Sequence, residues 1–189
     1  MKRKADLEQI YLKSQDLFIS KGYEAVKMDD ICQAVGISKP TLYSMRITKR
    51  DLLVHVYKPD FHNFAARDKI ALTQPLVPEI YAALDMVIER ITCNGPDLLR
   101  DLLKLHLQKP ALGEIMDPVW LGELTLLIKE AQQRGEIENM EDPDTLARII
   151  CAYIIGYSFQ FAMQQAEENR TNLHKGAAAI LQVQEEYAG

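Results

Sequence analysis

Apolar residues recur at three- and four-residue spacing from one end of this sequence to the other. No run alternates apolar and polar residues with the β-branched side chains and turn dipeptides of a strand. The chain is therefore expected to be all-α, with about nine helices at ordinary helix and loop lengths. Gly22, Gly36, Asn94-Gly95-Pro96 and Arg134-Gly135 mark helix ends, where glycine supplies a left-handed cap. Ser38, Thr48 with Asp51 three residues on, Asp117-Pro118 and Asp142-Pro143 mark helix starts. The helix opened by Thr48 is expected to run to Ala71, kinked at Pro59.

The stretch after Pro143 is unusual. Leu146, Ile149, Ile150, Tyr153, Ile154, Tyr157 and Phe161 form one stripe, and Ile155, Phe159 and Met163 lie on the other side. A helix apolar nearly all round must be covered on both sides. In a chain of 189 residues, one side can meet its own core and the other a second copy, with the last helix completing a four-helix interface by symmetry. Ile150, Ile154, Tyr157 and Phe161 are the expected dimer residues on the first helix, and Leu173, Ala177, Ile180 and Leu181 on the last. The alternative is a larger monomeric core.

Composition narrows the class. With 48% apolar residues and three cysteines, the chain is neither disordered nor a disulfide scaffold. Its apolar stretches, such as Ile149 to Ile155, are broken well short of the roughly 20 residues that cross a bilayer. Met1-Lys2-Arg3-Lys4 is followed by Ala5-Asp6-Leu7-Glu8-Gln9 rather than an apolar block, so a cytoplasmic protein with no membrane partner is expected. The formal net charge is −5, but residues 1–55 carry +3 and the remainder −8. Such asymmetry points one end at a polyanion while the rest repels indiscriminate contact.

The block Met28 to Met45 reads as two short helices joined at Gly36, with Ile31, Val35, Ile37, Leu42 and Met45 as the inner face and Cys32 small enough to permit close approach. Lys39, Thr41, Tyr43 and Ser44 remain outward on the second helix, a set of donors without a carboxylate, suited to phosphates and base edges. Around this block stand Leu17-Phe18, Gly22-Tyr23, Gly36-Ile37-Ser38-Lys39, Thr41-Leu42-Tyr43 and Thr48-Lys49-Arg50-Asp51-Leu52-Leu53. The order closely resembles the DNA-binding domain of the TetR family of transcriptional regulators. Downstream, Arg134-Gly135-Glu136-Ile137, Asp142-Pro143 and a helix containing Gly156 match the family's architecture more weakly.

The resemblance implies a three-helix helix-turn-helix domain over residues 1–47, followed by a helical ligand-binding and dimerisation domain over 48–189, with helix 48–71 linking the two. It implies a dimeric regulator, of repressor type, on a pseudo-palindromic double-stranded DNA operator, released by a small-molecule inducer. Ser38, Lys39 and Thr41 would open the recognition helix, Tyr43 and Ser44 would reach phosphates or bases, and Lys49 would touch backbone. Tyr43 could equally pack its ring on the first helix. Three departures stand out. Val26 replaces the Thr that usually caps the second helix, leaving Lys27 as the substitute contact. Arg46 occupies a core position, so it either snorkels to a phosphate or the helix ends differently. Asp29 lies near a position where relatives touch DNA, and there it repels phosphate unless it accepts from a cytosine amino group, or else it serves the helix dipole.

The resemblance further implies an inducer cavity, for which Phe61, Phe64, Met86 and His106 are candidate walls, together with Met116, Trp120, Tyr153 and Phe159. No catalytic residue, metal ligand or cofactor is expected. Cys32, Cys93 and Cys151 are far apart in sequence with no neighbouring His, and no nucleophile motif or phosphate-cradling loop occurs. The competing classes are a small helical enzyme and a protein-interaction module that merely carries a helix-turn-helix shape.

Overall fold

The computed structural model of the chain describes residues 7–57, 75–108, 117–164 and 170–187. Among these residues there are nine α-helices, one 3-10 turn and no β-strand. The all-α expectation holds. The predicted kink at Pro59 and the course of that helix to Ala71 lie outside the described residues.

By packing, the described residues form two compact units. The first contains α1 (Leu7–Lys21), α2 (Met28–Val35), α3 (Lys39–Ser44), α4 (Lys49–Val56) and α6 (Gly95–Gln108). α1 turns Ile10, Ser14 and Phe18 inward, and the Ser14 hydroxyl donates to the Ile10 carbonyl at 2.6 Å, so the buried oxygen is satisfied. α4 contributes Leu52, Leu53 and Val56, and α6 packs on it through a face of Leu98, Leu99, Leu102 and His106. Gln15 Nε2 donates to Asn94 Oδ1 at 2.9 Å, tying α1 to the approach to α6. The first unit thus takes in α4 and a helix from far along the sequence, besides residues of the 1–47 segment that the resemblance implies for the DNA-binding domain.

The second unit contains α5 (Val77–Thr92), α7 (Pro118–Gln133), α8 (Pro143–Ala162) and α9 (Arg170–Leu181). Ile80, Leu84, Ile88, Leu124, Ile128 and Ile150 lie at the centre of its core. Asp117 and Asp142 cap α7 and α8, accepting from the Val119 and Thr145 amides at 2.8 and 2.9 Å. α5 begins without a capping side chain of its own. The buried Glu136 supplies one across about 60 residues: Oε2 accepts from the Leu76 and Val77 amides at 2.6 and 3.0 Å, and Arg134 Nη1 lies 3.9 Å from Oε1. Two orphan amide groups at a helix start are thereby paired. The chain after α9 is stitched to the same loop by an Ile137–Val183 bridge and by the Asn139 and Glu138 amides, which donate to Leu181 and Gln182 carbonyls.

α8 is long and apolar enough, by length and composition, to cross a membrane. Here Leu146, Ala147, Ile150, Cys151, Ile154, Ser158 and Ala162 lie in the core of a helical unit. This corrects the expected dimer residues. Ile150, Ile154, Leu173, Ala177 and Leu181 are all buried within their own chain and have no surface to offer a partner. A helix apolar all round carries no periodic mark of which arc turns inward. The arc left outward holds Ile149, Ala152, Gly156, Phe159 and Met163, while Tyr157, Phe161 and Ile180 are half-buried.

Candidate nucleic-acid interface

α2 and α3 are eight and six residues long, too short to persist alone in water, so capping and burial must hold them. α2 ends at Gly36, whose φ of 75° lets its amide and that of Ile37 both reach back to the Cys32 carbonyl, at 2.9 and 3.0 Å. α3 begins at Ser38, whose Oγ accepts from the Thr41 amide at 3.3 Å. Ile31, Cys32 and Leu42 are buried between the helices and the rest of the unit, while Val35, Ile37 and Met45, expected inside, are only half-buried. The inner face is therefore smaller than the pattern predicts.

The outward side of α3 carries the expected groups. Tyr43 is 59% exposed, which excludes the alternative that its ring packs away on α1. Ser38 and Thr41 share a hydrogen bond between their hydroxyls at 2.8 Å, and Ser44 donates to the Thr41 carbonyl at 2.7 Å. Lys39 Nζ lies 2.6 Å from Asp29 Oδ2, and this contact raises the lysine above its ordinary value. The sequence signal for that pair was present only as opposite charges; nothing in the spacing brings positions 29 and 39 together.

α4 opens with a reciprocal cap: Asp51 donates its amide to Thr48 Oγ1 at 3.2 Å, and its carboxylate accepts from the Thr48 amide and hydroxyl at 2.8 and 2.7 Å. Lys49, next in line, is drawn inward. Its ammonium sits 4.1 Å from the centroid of the Tyr23 ring and 3.4 Å from the Glu24 carbonyl. Burial, the largest cause, raises the Tyr23 phenol above its usual range and keeps that ring neutral.

The departures resolve as follows. The position capping α2 is Lys27 rather than Val26, which is buried. A lysine side chain has no acceptor, so only the reciprocal half of a capping box is made, by Asp30 accepting from the Lys27 amide at 2.7 Å. The exposed Lys27 side chain stays outward. α3 ends at Ser44, and Arg46 follows in the left-handed region at φ 57° with its side chain exposed. The helix thus stops before the position that would have buried an arginine.

Residues 13–56, which span this whole constellation, match the family model of the bacterial regulatory proteins, tetR family. Residues 13–56 are thus a DNA-binding domain of the TetR type. The chain is a DNA-binding transcriptional regulator. Over 173 residues it is 23% identical to the HTH-type transcriptional regulator YwcC of Bacillus subtilis, covering 82% of this chain and 76% of that one. A TetR-family regulator from Rhodococcus sp. superposes with a TM-score of 0.64 at 18% identity, over 92% of this chain and 97% of that one. A regulator from Saccharomonospora viridis, solved in complex with choline, gives 0.57 at 17% identity, over 93% and 94%.

The expected ligand walls are divided between the two units. His106 is buried in the first unit, its Nδ1 2.9 Å from the Leu102 carbonyl. In the second unit Trp120 is buried, Met86 and Tyr153 are half-buried and Phe159 is exposed. The Tyr153 hydroxyl donates to the Asn172 carbonyl at 3.1 Å. Phe61, Phe64 and Met116 lie outside the described residues. Sequence reasoning missed a polar cluster in the second unit: the buried Tyr81 ring stacks on His174 at 4.5 Å, and His174 Nε2 is 2.8 Å from Asp85 Oδ1. The Tyr81 hydroxyl has no hydrogen-bond partner among the described residues.

Proposed function

We propose that this chain is a cytoplasmic, dimeric repressor whose two α3 helices enter successive major grooves of a pseudo-palindromic operator, about 34 Å apart. The observation that carries the reading is the outward face of α3, where Lys39, Tyr43 and Ser44 stand exposed on a helix fixed at both ends. Ser38, Thr41, Lys27, Arg46 and Lys49 complete the contact set, the last after its ammonium leaves the Tyr23 ring. Most affinity would come from phosphates, and the acidic remainder of the chain limits binding elsewhere.

The dimer is supported by the outward arc of α8. Ile149, Phe159 and Met163 are exposed apolar side chains at helical spacing, with the small Ala152 and Gly156 between them allowing close approach. Half-buried Tyr157, Phe161 and Ile180 would border that contact. An inducer is supported by the unpartnered, buried Tyr81 hydroxyl, since such groups are rarely left without a donor or acceptor. The ligand would act only through different affinity for operator-competent and operator-incompetent states.

Fluorescence anisotropy with genomic fragments against random duplex tests DNA recognition. One fragment should bind at least about 1,000-fold tighter than random sequence, as specific regulators do. Binding that follows charge alone would refute the reading. A reporter downstream of that fragment should be silenced by the protein, and activation instead would overturn the repressor assignment.

A further inference from the structure

Lys39 opens the recognition helix, yet its ammonium already has a counter-ion. Asp29 Oδ2, in the first turn of α2, lies 2.6 Å away, and the two side chains are each about half exposed. α3 itself carries no acid, and Lys39 is its one cation. A lysine adds about 0.9 to the salt slope of DNA binding when it displaces a counter-ion from a phosphate. Lys39 can do so only if the carboxylate releases it. An exposed ion pair is weak enough for a phosphate to compete, but the exchange strands a carboxylate in the negative field of the duplex. That charge is tolerated where a base amino group donates to it, and in the major groove the donor that pairs with carboxylates is the N4 amino group of cytosine.

We propose that Asp29 is a specificity-determining residue, which holds Lys39 back from phosphate on any duplex except one that offers the carboxylate a base amino group, with cytosine as the matching base. This rests on the major-groove reading of α3 given above. On random sequence the pair stays closed and Lys39 contributes little. On the preferred fragment Asp29 turns to the base and Lys39 engages the backbone.

The test is a salt titration of binding, read by anisotropy, for the wild type, Asp29→Asn, Lys39→Ala and the double variant, on the preferred genomic fragment and on random duplex of equal length. Lys39→Ala should lower the slope by about one unit on the preferred fragment and leave it unchanged on random duplex. Asp29→Asn should steepen the random-duplex slope by about one unit, tighten that binding by roughly two- to fivefold, and reduce the preferred-to-random ratio by at least the same factor. The slope change should vanish when Lys39→Ala is also present. Asp29→Ala, which has no acceptor, must move the slope in the same direction. Equal slope losses for Lys39→Ala on both duplexes would overturn the proposal, as would an unchanged ratio in Asp29→Asn. A wild type with no preferred fragment refutes the regulator reading itself, whereas a clear preference that ignores Asp29 refutes only this inference.

Discussion

The two units are built from the same secondary structure but held by different means. In the first, short helices are positioned by local chemistry: the left-handed turn at Gly36, the Ser38 cap, and the Thr48–Asp51 box each fix an end within a few residues. Their outward faces can then be polar, because few apolar contacts are asked of them. In the second, helices of 12 to 20 residues are positioned by which face they bury. The lesson is that surface chemistry in the first unit is set by sequence neighbours, and in the second by tertiary choice.

The sharpest way to break this comparison is a pair of substitutions on α8. Ile154 is buried, so Ile154→Asp places an unpaired charge in the core, and a loss of about 4 kcal/mol or more is expected. The second unit should lose its fold, seen by circular dichroism and urea unfolding. Phe159→Asp, one turn further on and exposed, should leave the fold intact and yield monomers in sedimentation, with operator affinity falling as the dimer is lost. A folded Ile154→Asp dimer, or a Phe159→Asp dimer of wild-type stability, would put the inward and outward arcs of α8 the wrong way round.

Next in size is Glu136. Glu136→Ala leaves the Leu76 and Val77 amides without an acceptor at the start of α5 and should cost about 2–3 kcal/mol. Glu136→Gln keeps one acceptor oxygen and should recover part of the loss. Both are read as urea midpoints.

These two sites also show where sequence legibility stops. Ser38, Thr48, Asp117 and Asp142 were readable as caps, and Gly22 and Gly36 as stops, because each acts on amides or carbonyls within four residues. The outward placement of Lys39, Tyr43 and Ser44 on α3 was readable from the helical period. The inward arc of α8 was not, since residues apolar on every side give no period. Nor was the pairing of Glu136 with an amide 60 residues away, the docking of α6 on α4, or the bond between Asp29 and Lys39. Each depends on how elements meet, which local pattern does not encode. At Arg46 the sequence left snorkelling and a different helix end both open, and α3 ends early, at Ser44.

A matched pair of caps separates the units at lower cost. Thr48→Ala and Asp142→Ala should each lose about 1 kcal/mol of stability. Thr48→Ala should also weaken binding to every duplex alike, because it loosens the helix start that carries Lys49, while Asp142→Ala should leave DNA affinity unchanged for the same dimer fraction. Equal DNA effects from the two would show that the first unit is not privileged at the interface.

The smallest expected effect concerns the cysteines. Cys93 is exposed, whereas Cys32 and Cys151 are buried. Burial, the largest cause in both, raises the Cys32 thiol and pushes Cys151 up to about 11. Since the thiolate is the reactive form, native protein at about pH 8 should take up one equivalent of a thiol reagent quickly and the other two only on unfolding. The same shift predicts the sign of a pH effect. Between the ordinary thiol value near 9 and about 11, the unfolded chain has released the Cys151 proton and the folded one has not. Fewer protons on the unfolded state mean that stability falls as pH rises through this window. The urea midpoint of the wild type should therefore drop more between about pH 8 and pH 10.5 than that of Cys151→Ala, which lacks the titrating group. Equal drops would mean that water reaches Cys151, and that the core of the second unit is less tightly closed around α8 than its burial implies.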